Sequence, residues 1–202
     1  MGLMEKEDKD LGYECVGRVV RVGAEVDGGL EEGAAVMAFP PSANTFGGFA
    51  TFDADLAVEV PEGLDMREAA TIPSVYLTAH YALVEEASLG AGERVLIHSA
   101  SGGVGHAALN IARARGAEIF ATAGTERKRE YLRREFDLEY VMDSRSLDFA
   151  DEVAEFTDGE GVDVVLNTLT GEGARRGFEL LRPLGRFLDL SKAGMYEQDG
   201  ID

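Results

Sequence analysis

The fold is decided by residues 94–125, which read RVLIHSASGGVGHAALNIARARGAEIFATAGT. A short apolar run at 94–98 leads into a turn rich in Gly and Ser, and an alanine-rich stretch with helical spacing follows at 105–115. A second apolar run lies at 119–123. Apolar runs of this length suit strands that are buried on both faces of a parallel sheet. The segment therefore predicts a strand–helix–strand unit with a Gly-rich turn at its first junction.

The same alternation continues to the end of the chain. Further strands are predicted at 140–143, 162–166 and 186–190, and further helices at 126–136, 147–157 and 173–181. Two helices, 67–70 and 75–86, precede the first strand and are separated at Pro73. Strands that alternate with helices form right-handed crossovers and a doubly wound parallel sheet. We predict an α/β Rossmann domain over residues 74–202.

The earlier part of the chain has a different pattern. Short apolar or β-branched runs occur at 14–22, 34–39, 48–53 and 56–60, and Gly or Pro residues separate them. Short strands at intervals of about 8–12 residues are typical of a small sheet or a partial barrel. We therefore predict a separate β domain over residues 1–73.

Composition and charge exclude several classes of function. The 202 residues carry 19 basic and 38 acidic side chains, for a net charge of −19. This field repels phosphate backbones and anionic lipid, so neither nucleic acid nor a membrane is expected as a partner. No apolar run is long enough to cross a bilayer, and the acidic start does not resemble a secretory signal, so we expect a cytoplasmic protein. The single cysteine, Cys15, permits no internal disulfide and no structural zinc site, and no metal is expected.

The Gly-rich turn at 99–105 predicts a dinucleotide site. It follows a strand and opens a helix, which is the setting that such a site needs. Glycines let the backbone approach a pyrophosphate, and the helix N-terminus offers free N–H groups with partial positive charge. The strict G-x-G-x-x-G spacing is not met, because Ser99 and Ser101 stand where glycines are usual.

The end of the second strand indicates which nucleotide binds. Sites for NAD usually carry Asp or Glu there, to bind the ribose 2′-hydroxyl. Residues 121–125 contain no acid, and they lead into Arg127, Lys128 and Arg129. Hydroxyls and cations suit a 2′-phosphate, so NADPH is favoured over NADH. The alternative interpretation is that the three cations are only a solvated helix face.

Four segments together resemble one family. They are residues 94–132, 143–149 (DSRSLDF), 161–172 (GVDVVLNTLTGE) and 185–192 (GRFLDLSK). The chain resembles the enoylreductase domain of modular polyketide synthases and animal-type fatty acid synthases. This domain belongs to the zinc-free, quinone-reductase-like branch of the medium-chain dehydrogenase/reductase superfamily. The resemblance extends from residue 11 to about residue 195, and it implies that residues 1–73 are part of a GroES-like substrate domain.

The resemblance implies roles for individual residues. The pyrophosphate would be held by Gly102, Gly103, Val104 and Gly105. Contacts to the 2′-phosphate would come from Thr125 and Lys128, with Arg145 near the adenosine end. Asn167, Thr168 and Thr78 would line the nicotinamide end. Lys192 would be the catalytic residue, as a proton donor or a substrate-orienting group.

The implied function is that of an oxidoreductase in a multidomain enzyme. NADPH would reduce a 2-enoyl thioester, bound to an acyl carrier protein, to the saturated acyl thioester. The other partners would be neighbouring domains of the synthase, and a homodimer is left open because the fifth strand is an edge. We expect the nucleotide-binding half to be incomplete at its C-terminus and the substrate half to be a fragment. Two alternatives remain: a quinone oxidoreductase of the same superfamily, and a non-catalytic nucleotide-binding fragment.

Overall fold

The computed structural model describes residues 11–26, 29–40 and 45–191. The chain divides into two compact units, the first ending at Leu77 and the second beginning at Thr78. Among the described residues, no helix is both long and apolar enough to span a membrane.

The first unit contains a three-stranded antiparallel sheet. Its strands are β1 (Cys15–Arg18), β2 (Ala35–Ala38) and β3 (Ala57–Glu59), in that spatial order. Cys15 lies opposite Ala38, and Val36 lies opposite Glu59. The strand predicted at 48–53 is wrong, because Gly48 lies in a bend and residues 49–53 form no strand. An extended segment becomes a strand only where a neighbour accepts its backbone hydrogen bonds, and this segment is paired with none of the described strands.

The second unit is built on a five-stranded parallel sheet. The strands are β4 (Arg94–Ile97), β5 (Glu118–Ala123), β6 (Tyr140–Asp143), β7 (Val162–Asn167) and β8 (Leu181–Asp189). Their spatial order is β6-β5-β4-β7-β8, which confirms the predicted doubly wound fold. From β4 the chain continues to β5 and β6, which lie on one side of β4. It then crosses back, so that β7 and β8 lie on the other side of β4. Ligands of such sheets bind in the crevice at this switch point, beyond the carboxyl ends of the strands.

The helices follow the predicted alternation. They are α1 (Met66–Ala69), α2 (Pro73–His80), α3 (Gly103–Arg115), α4 (Glu126–Phe136), α5 (Asp148–Phe156) and α6 (Glu172–Glu179). Pro73 is the first residue of α2, where its missing N–H costs no helical bond. The helix predicted at 75–86 is divided, because α2 passes into a π-helical turn over Tyr81–Glu86.

The core of the second unit lies at the centre of the sheet. Leu96, Phe120, Met142, Phe149 and Val165 belong to one buried cluster that joins four strands and α5. These strands were recognisable in the sequence because both of their faces are covered. The core therefore holds the carboxyl ends of β4, β5, β6 and β7 at one edge of the sheet.

The last strand is longer than predicted. It starts at Leu181, and its register against β7 shifts, so that Val162 pairs with Leu181 but Val164 pairs with Arg186. Leu184 protrudes within this irregular stretch, with a positive φ of 68°. Arg186 binds both carboxylate oxygens of Glu93 at 2.8 Å, which secures the amino end of the regular part of the strand.

Candidate functional site

The turn between β4 and α3 leads to the N-terminus of α3, and within the turn the Gly102 N–H donates to the carbonyl of Ser99 at 2.9 Å. Gly102 is the N-cap of α3, and no side chain accepts a hydrogen bond at this cap. Gly102 and Gly103 are exposed, Val104 is half-buried and Gly105 is buried. The first N–H groups of a helix have no partner inside the helix and carry a partial positive charge. The arrangement suits an anion that approaches from the crevice.

Gly105 allows α3 to pack directly on the turn. A Cβ atom at this position would lie 2.5 Å from the carbonyl oxygen of Ala100 and 2.6 Å from its Cα. Both atoms belong to the backbone, so no rotamer change would relieve the clash. Ala100 is itself held by a hydrogen bond from its N–H to the carbonyl of Thr122, at 2.9 Å. Gly105 is therefore required by packing, while Gly102 and Gly103 face the crevice.

The three cations after β5 have different environments. Arg129 is only 13% exposed, and its Nη1 lies 2.8 Å from Asp143 Oδ2 and donates to the carbonyl of Ala123 at 3.1 Å. Arg127 and Lys128 are exposed. Arg129 thus braces the start of α4 against β6. Two of the three predicted cations remain at the surface beside the end of β5.

Thr125 caps α4 at the same edge of the sheet. Its Oγ1 accepts a hydrogen bond from the N–H of Lys128 at 3.4 Å. The Thr125 hydroxyl still has its own proton to donate. The residue is therefore suited to an acceptor such as a phosphate oxygen.

Arg145 lies across the end of β5. Its Nε atom lies 3.0 Å from where a Cβ on Gly124 would stand. Its backbone N–H donates to Asp143 Oδ1 at 2.8 Å, so the carboxylate that pairs with Arg129 also orders the loop after β6. The Arg145 side chain is exposed.

A cavity of about 340 Å³ opens between the loops that follow β6 and β7. Its lining residues are Ser144, Arg145, Ser146, Leu147, Phe149, Thr168, Leu169, Thr170 and Gly173. Arg145 and Thr168 thus line one cavity, although the resemblance had placed them at opposite ends of the cofactor. The structure therefore places Thr168 in the same cavity as Arg145, the cation that follows β6.

Asn167 is fully buried, and its side chain braces two loops. Its Nδ2 donates to the carbonyl of Leu169 and to Asp189 Oδ1, both at 2.9 Å, and its Oδ1 accepts from the N–H of Leu169 at 3.1 Å. Asp189 in turn accepts from the N–H and the hydroxyl of Ser191, at 2.9 and 3.0 Å. Asn167 was predicted to line the cofactor cleft, but its side-chain amide makes its hydrogen bonds to Leu169 and Asp189.

Sequence reasoning did not assign Ser99 and Thr122 to the site. Thr168 Oγ1 donates to Ser99 Oγ at 2.8 Å across the switch point. Thr122 is buried, and its Oγ1 lies 3.0 Å from Nδ1 of His98. The only signal for Ser99 in the sequence is a serine at a position where glycine is usual. Thr122 gave no signal, because it sits inside an apolar strand.

His98 is a buried histidine directly before the turn. Its side chain also packs edge-on to Phe149, and its Nε2 has no partner among the described residues. Burial lowers the pKa of His98 to about 4, so the imidazole is neutral at physiological pH. His98 is therefore a neutral side chain in the core beside the turn.

Comparison with known proteins identifies the family. A family model described as zinc-binding dehydrogenase matches residues 103–198. The nucleotide-binding subdomain of the enoylreductase domain of PpsC from Mycobacterium tuberculosis is 55% identical, with a TM-score of 0.61, and the match covers 64% of this chain and 72% of that one. The chain belongs to the polyketide synthase enoylreductase family.

Other enoylreductases and related proteins share the fold. The CurK enoyl reductase is 41% identical with a TM-score of 0.84, over 92% of this chain and 55% of that one. A mycobacterial protein solved in complex with NADPH is 27% identical with a TM-score of 0.82, over 96% of this chain and 60% of that one. A phenolphthiocerol/phthiocerol polyketide synthase of Mycobacterium tuberculosis is 54% identical over 186 residues. That match covers 92% of this chain, which spans only 8% of the relative's length.

Two further residues, Thr78 and Lys192, complete the set of predicted site residues. Thr78 lies in α2, and Lys192 lies outside the described residues. Within the described ranges, no group of three or more His, Cys, Asp or Glu side chains is placed to hold a metal ion. The described residues of the candidate site therefore come from the loops and helix N-termini that follow β4, β5, β6 and β7.

Proposed function

We propose that this chain binds NADPH and reduces a 2-enoyl thioester carried on an acyl carrier protein, as the enoylreductase domain of a polyketide synthase. The observation that carries the proposal is the uncapped, Gly-lined N-terminus of α3 beside the exposed cations Lys128 and Arg145. The similarity to polyketide synthase enoylreductases, and the NADPH complex of one structural neighbour, support it.

The residues present fit the dinucleotide by their donor chemistry. The N–H groups of Gly103 and Val104 would bind the pyrophosphate at the helix N-terminus. Lys128, Arg145 and the Thr125 hydroxyl would bind the 2′-phosphate, since all three can donate. Residues 121–125 contain no carboxylate, and the carboxylate of Glu126 is paired with Arg129 and Arg133. The cavity that Arg145 and Thr168 share would hold the adenine, and we therefore place Thr168 at the adenosine side.

The reaction is a conjugate reduction. When bound, NADPH supplies the hydride that adds to Cβ of the enoyl group. Negative charge then develops on the thioester oxygen, and Cα receives a proton. We propose Lys192 as the residue that stabilises this charge or donates the proton, since an ammonium group can do either. Asn167 would act as a positioning residue, because it orients Asp189, which holds Ser191 next to Lys192 in the sequence.

The remaining predictions belong to the same proposal. Residues 1–73 would supply part of a GroES-like substrate domain, and the three-stranded antiparallel sheet supports this assignment. The neighbouring synthase domains and the carrier protein would be its partners in the cytoplasm. A homodimer through the exposed edge of β8 would satisfy unpaired backbone groups.

The direct test measures cofactor and substrate preference together. The purified chain is titrated with NADPH and with NADH, and NADPH oxidation is then followed with a short 2-enoyl thioester and with a quinone. We expect tighter binding of NADPH than of NADH, and oxidation with the thioester only. Lys192→Ala should lower turnover and leave NADPH affinity unchanged.

The outcomes separate the alternatives. Turnover of the quinone without the thioester would identify a quinone oxidoreductase. If the purified chain binds NADPH but shows no turnover, enoyl reduction is measured again with the parent synthase. Inactivity of the intact synthase toward enoyl reduction would then identify a non-catalytic nucleotide-binding domain.

A further inference from the structure

Two exposed hydroxyl groups meet where the strand order of the second unit reverses. Ser99 follows β4 and Thr168 follows β7, and these strands are neighbours in the sheet. Thr168 Oγ1 donates to Ser99 Oγ at 2.8 Å. The pair therefore spans the crevice in which doubly wound folds bind their ligands.

Ser99 adopts a backbone conformation that favours glycine. Its φ is +52°, in the left-handed region, and a serine there is strained. Both neighbours of Ser99 hold it in place. The His98 N–H donates to the carbonyl of Leu166 at 3.1 Å, and the Ala100 N–H donates to the carbonyl of Thr122 at 2.9 Å. Strain of this kind occurs often at ligand-binding and active sites.

The hydrogen-bonding capacity of the pair is only partly used. Because Thr168 donates its proton to Ser99, the Ser99 hydroxyl keeps its own proton to donate, and the Thr168 oxygen can still accept. Thr168 also lines the cavity that contains Arg145. The pair thus joins that cavity to the Gly-rich turn, and it has one donor and one acceptor that no described residue uses.

We propose that Ser99 and Thr168 bind the adenosine half of the dinucleotide as one hydrogen-bonding pair. The Ser99 hydroxyl donates to an oxygen of the adenosine-side phosphate, and the Thr168 oxygen accepts from a ribose hydroxyl. The chain of hydrogen bonds from ribose to Thr168 to Ser99 to phosphate is directional, so each bond polarises the next. This inference rests on the proposed binding of NADPH, and it assigns Ser99 as a residue that binds the cofactor directly.

Ser99→Gly separates the binding role from a structural role. Glycine relaxes the left-handed backbone, so the melting temperature should stay level or rise. The same variant loses the donor to phosphate, so the Kd for NADPH should rise about tenfold. Stability and affinity therefore move in different directions, which a purely structural role does not produce.

Ser88→Gly is the matched control. Ser88 is also an exposed serine with a left-handed φ, +49°, but it precedes β4 and so lies toward the opposite edge of the sheet. It should show a similar change in stability and an unchanged Kd for NADPH. Thr168→Val should weaken NADPH binding, and Thr168→Ser, which retains the hydroxyl, should restore most of it.

The adenosine fragment 2′,5′-ADP distinguishes the two halves of the cofactor. It contains the adenosine ribose and its 5′-phosphate, so Ser99→Gly should weaken its binding by about the same factor as that of NADPH. If Ser99→Gly weakened the binding of NADPH but not that of 2′,5′-ADP, the pair would belong to the nicotinamide half of the site and the proposal would be overturned. An unchanged Kd in Ser99→Gly and Thr168→Val would also overturn it. If the unaltered chain binds neither ligand, the proposed function itself fails.

Discussion

The Nε atom of Arg145 lies 3.0 Å from the point that a Cβ atom on Gly124 would occupy, and Ser144 Oγ lies 3.4 Å from the same point. Gly124 directly follows β5, where NAD-binding folds usually carry an acid. The missing side chain leaves room for the Arg145 guanidinium beside this strand end. The pair therefore offers a cation where an NAD site offers a carboxylate.

Gly124→Asp should shift the cofactor preference toward NADH. The new carboxylate would pair with Arg145 and repel the 2′-phosphate, so the ratio of NADPH to NADH affinity should fall by at least about tenfold. Binding is measured by titration calorimetry with both cofactors. Gly124→Ala is the control, because it adds the Cβ atom without the charge. If Gly124→Asp lowered the affinity for both cofactors equally, the substitution would only obstruct the site.

Lys128 and Arg129 should respond differently to substitution by alanine. Lys128 is exposed, so its loss should weaken NADPH binding about five- to tenfold and leave stability unchanged. Arg129 is bound to Asp143 and Ala123, so its loss should reduce the free energy of unfolding by about 1–2 kcal/mol. Urea denaturation and NADPH titration are made on both variants. A stability loss in Lys128→Ala comparable to that of Arg129→Ala would contradict the distinction.

Gly105→Ala should be strongly destabilising. Its Cβ would meet the Ala100 backbone at 2.5 Å, and forcing α3 away from the turn should cost on the order of 2–4 kcal/mol. Thermal unfolding measures the effect. Gly173→Ala is the matched helical control, since its Cβ would meet only the Leu169 side chain, with Cδ1 nearest at 3.2 Å. We expect Gly173→Ala to be neutral or stabilising, because alanine favours the helix more than glycine does.

His98 should make stability depend on pH below neutrality. Burial lowers its pKa from 6.5 to about 4, so the unfolded chain takes up a proton in this range that the folded chain does not. Its contribution to stability is complete above pH 6.5 and is lost as the pH falls toward 4. The total loss from this group is on the order of 3 kcal/mol.

His98→Asn should remove this part of the pH dependence. Asparagine keeps a polar group near Thr122 but does not titrate, so the free energy of unfolding should fall less steeply between pH 7 and pH 4. Urea denaturation at several pH values gives the two slopes. If the free energy of unfolding fell equally steeply with pH in His98→Asn and in the unaltered chain, His98 would not govern the loss of stability in acid.

Much of the second unit could be predicted from the sequence. The helix at 126–136 and the strand at 140–143 have the predicted bounds, and the parallel sheet follows from alternating buried runs and amphipathic segments. The first unit was predicted less well. Its strands are three or four residues long, and the run at 48–53 has similar composition but no ladder in the described structure. Short half-exposed strands depend on their neighbours more than on their own residues.

The sequence by itself determined the fold class, the position of the Gly-rich turn and the absence of an acid at the end of β5, because burial and turn chemistry are local properties. Only the tertiary structure decided which groups meet. Arg129 forms an ion pair with Asp143, fourteen positions later, and Asn167 donates a hydrogen bond to Asp189. Thr168 reaches Ser99 and shares a cavity with Arg145. Such partners lie on different strands or in the helices and loops that follow them, so the order of the strands, and not the spacing of residues along the chain, sets their distances.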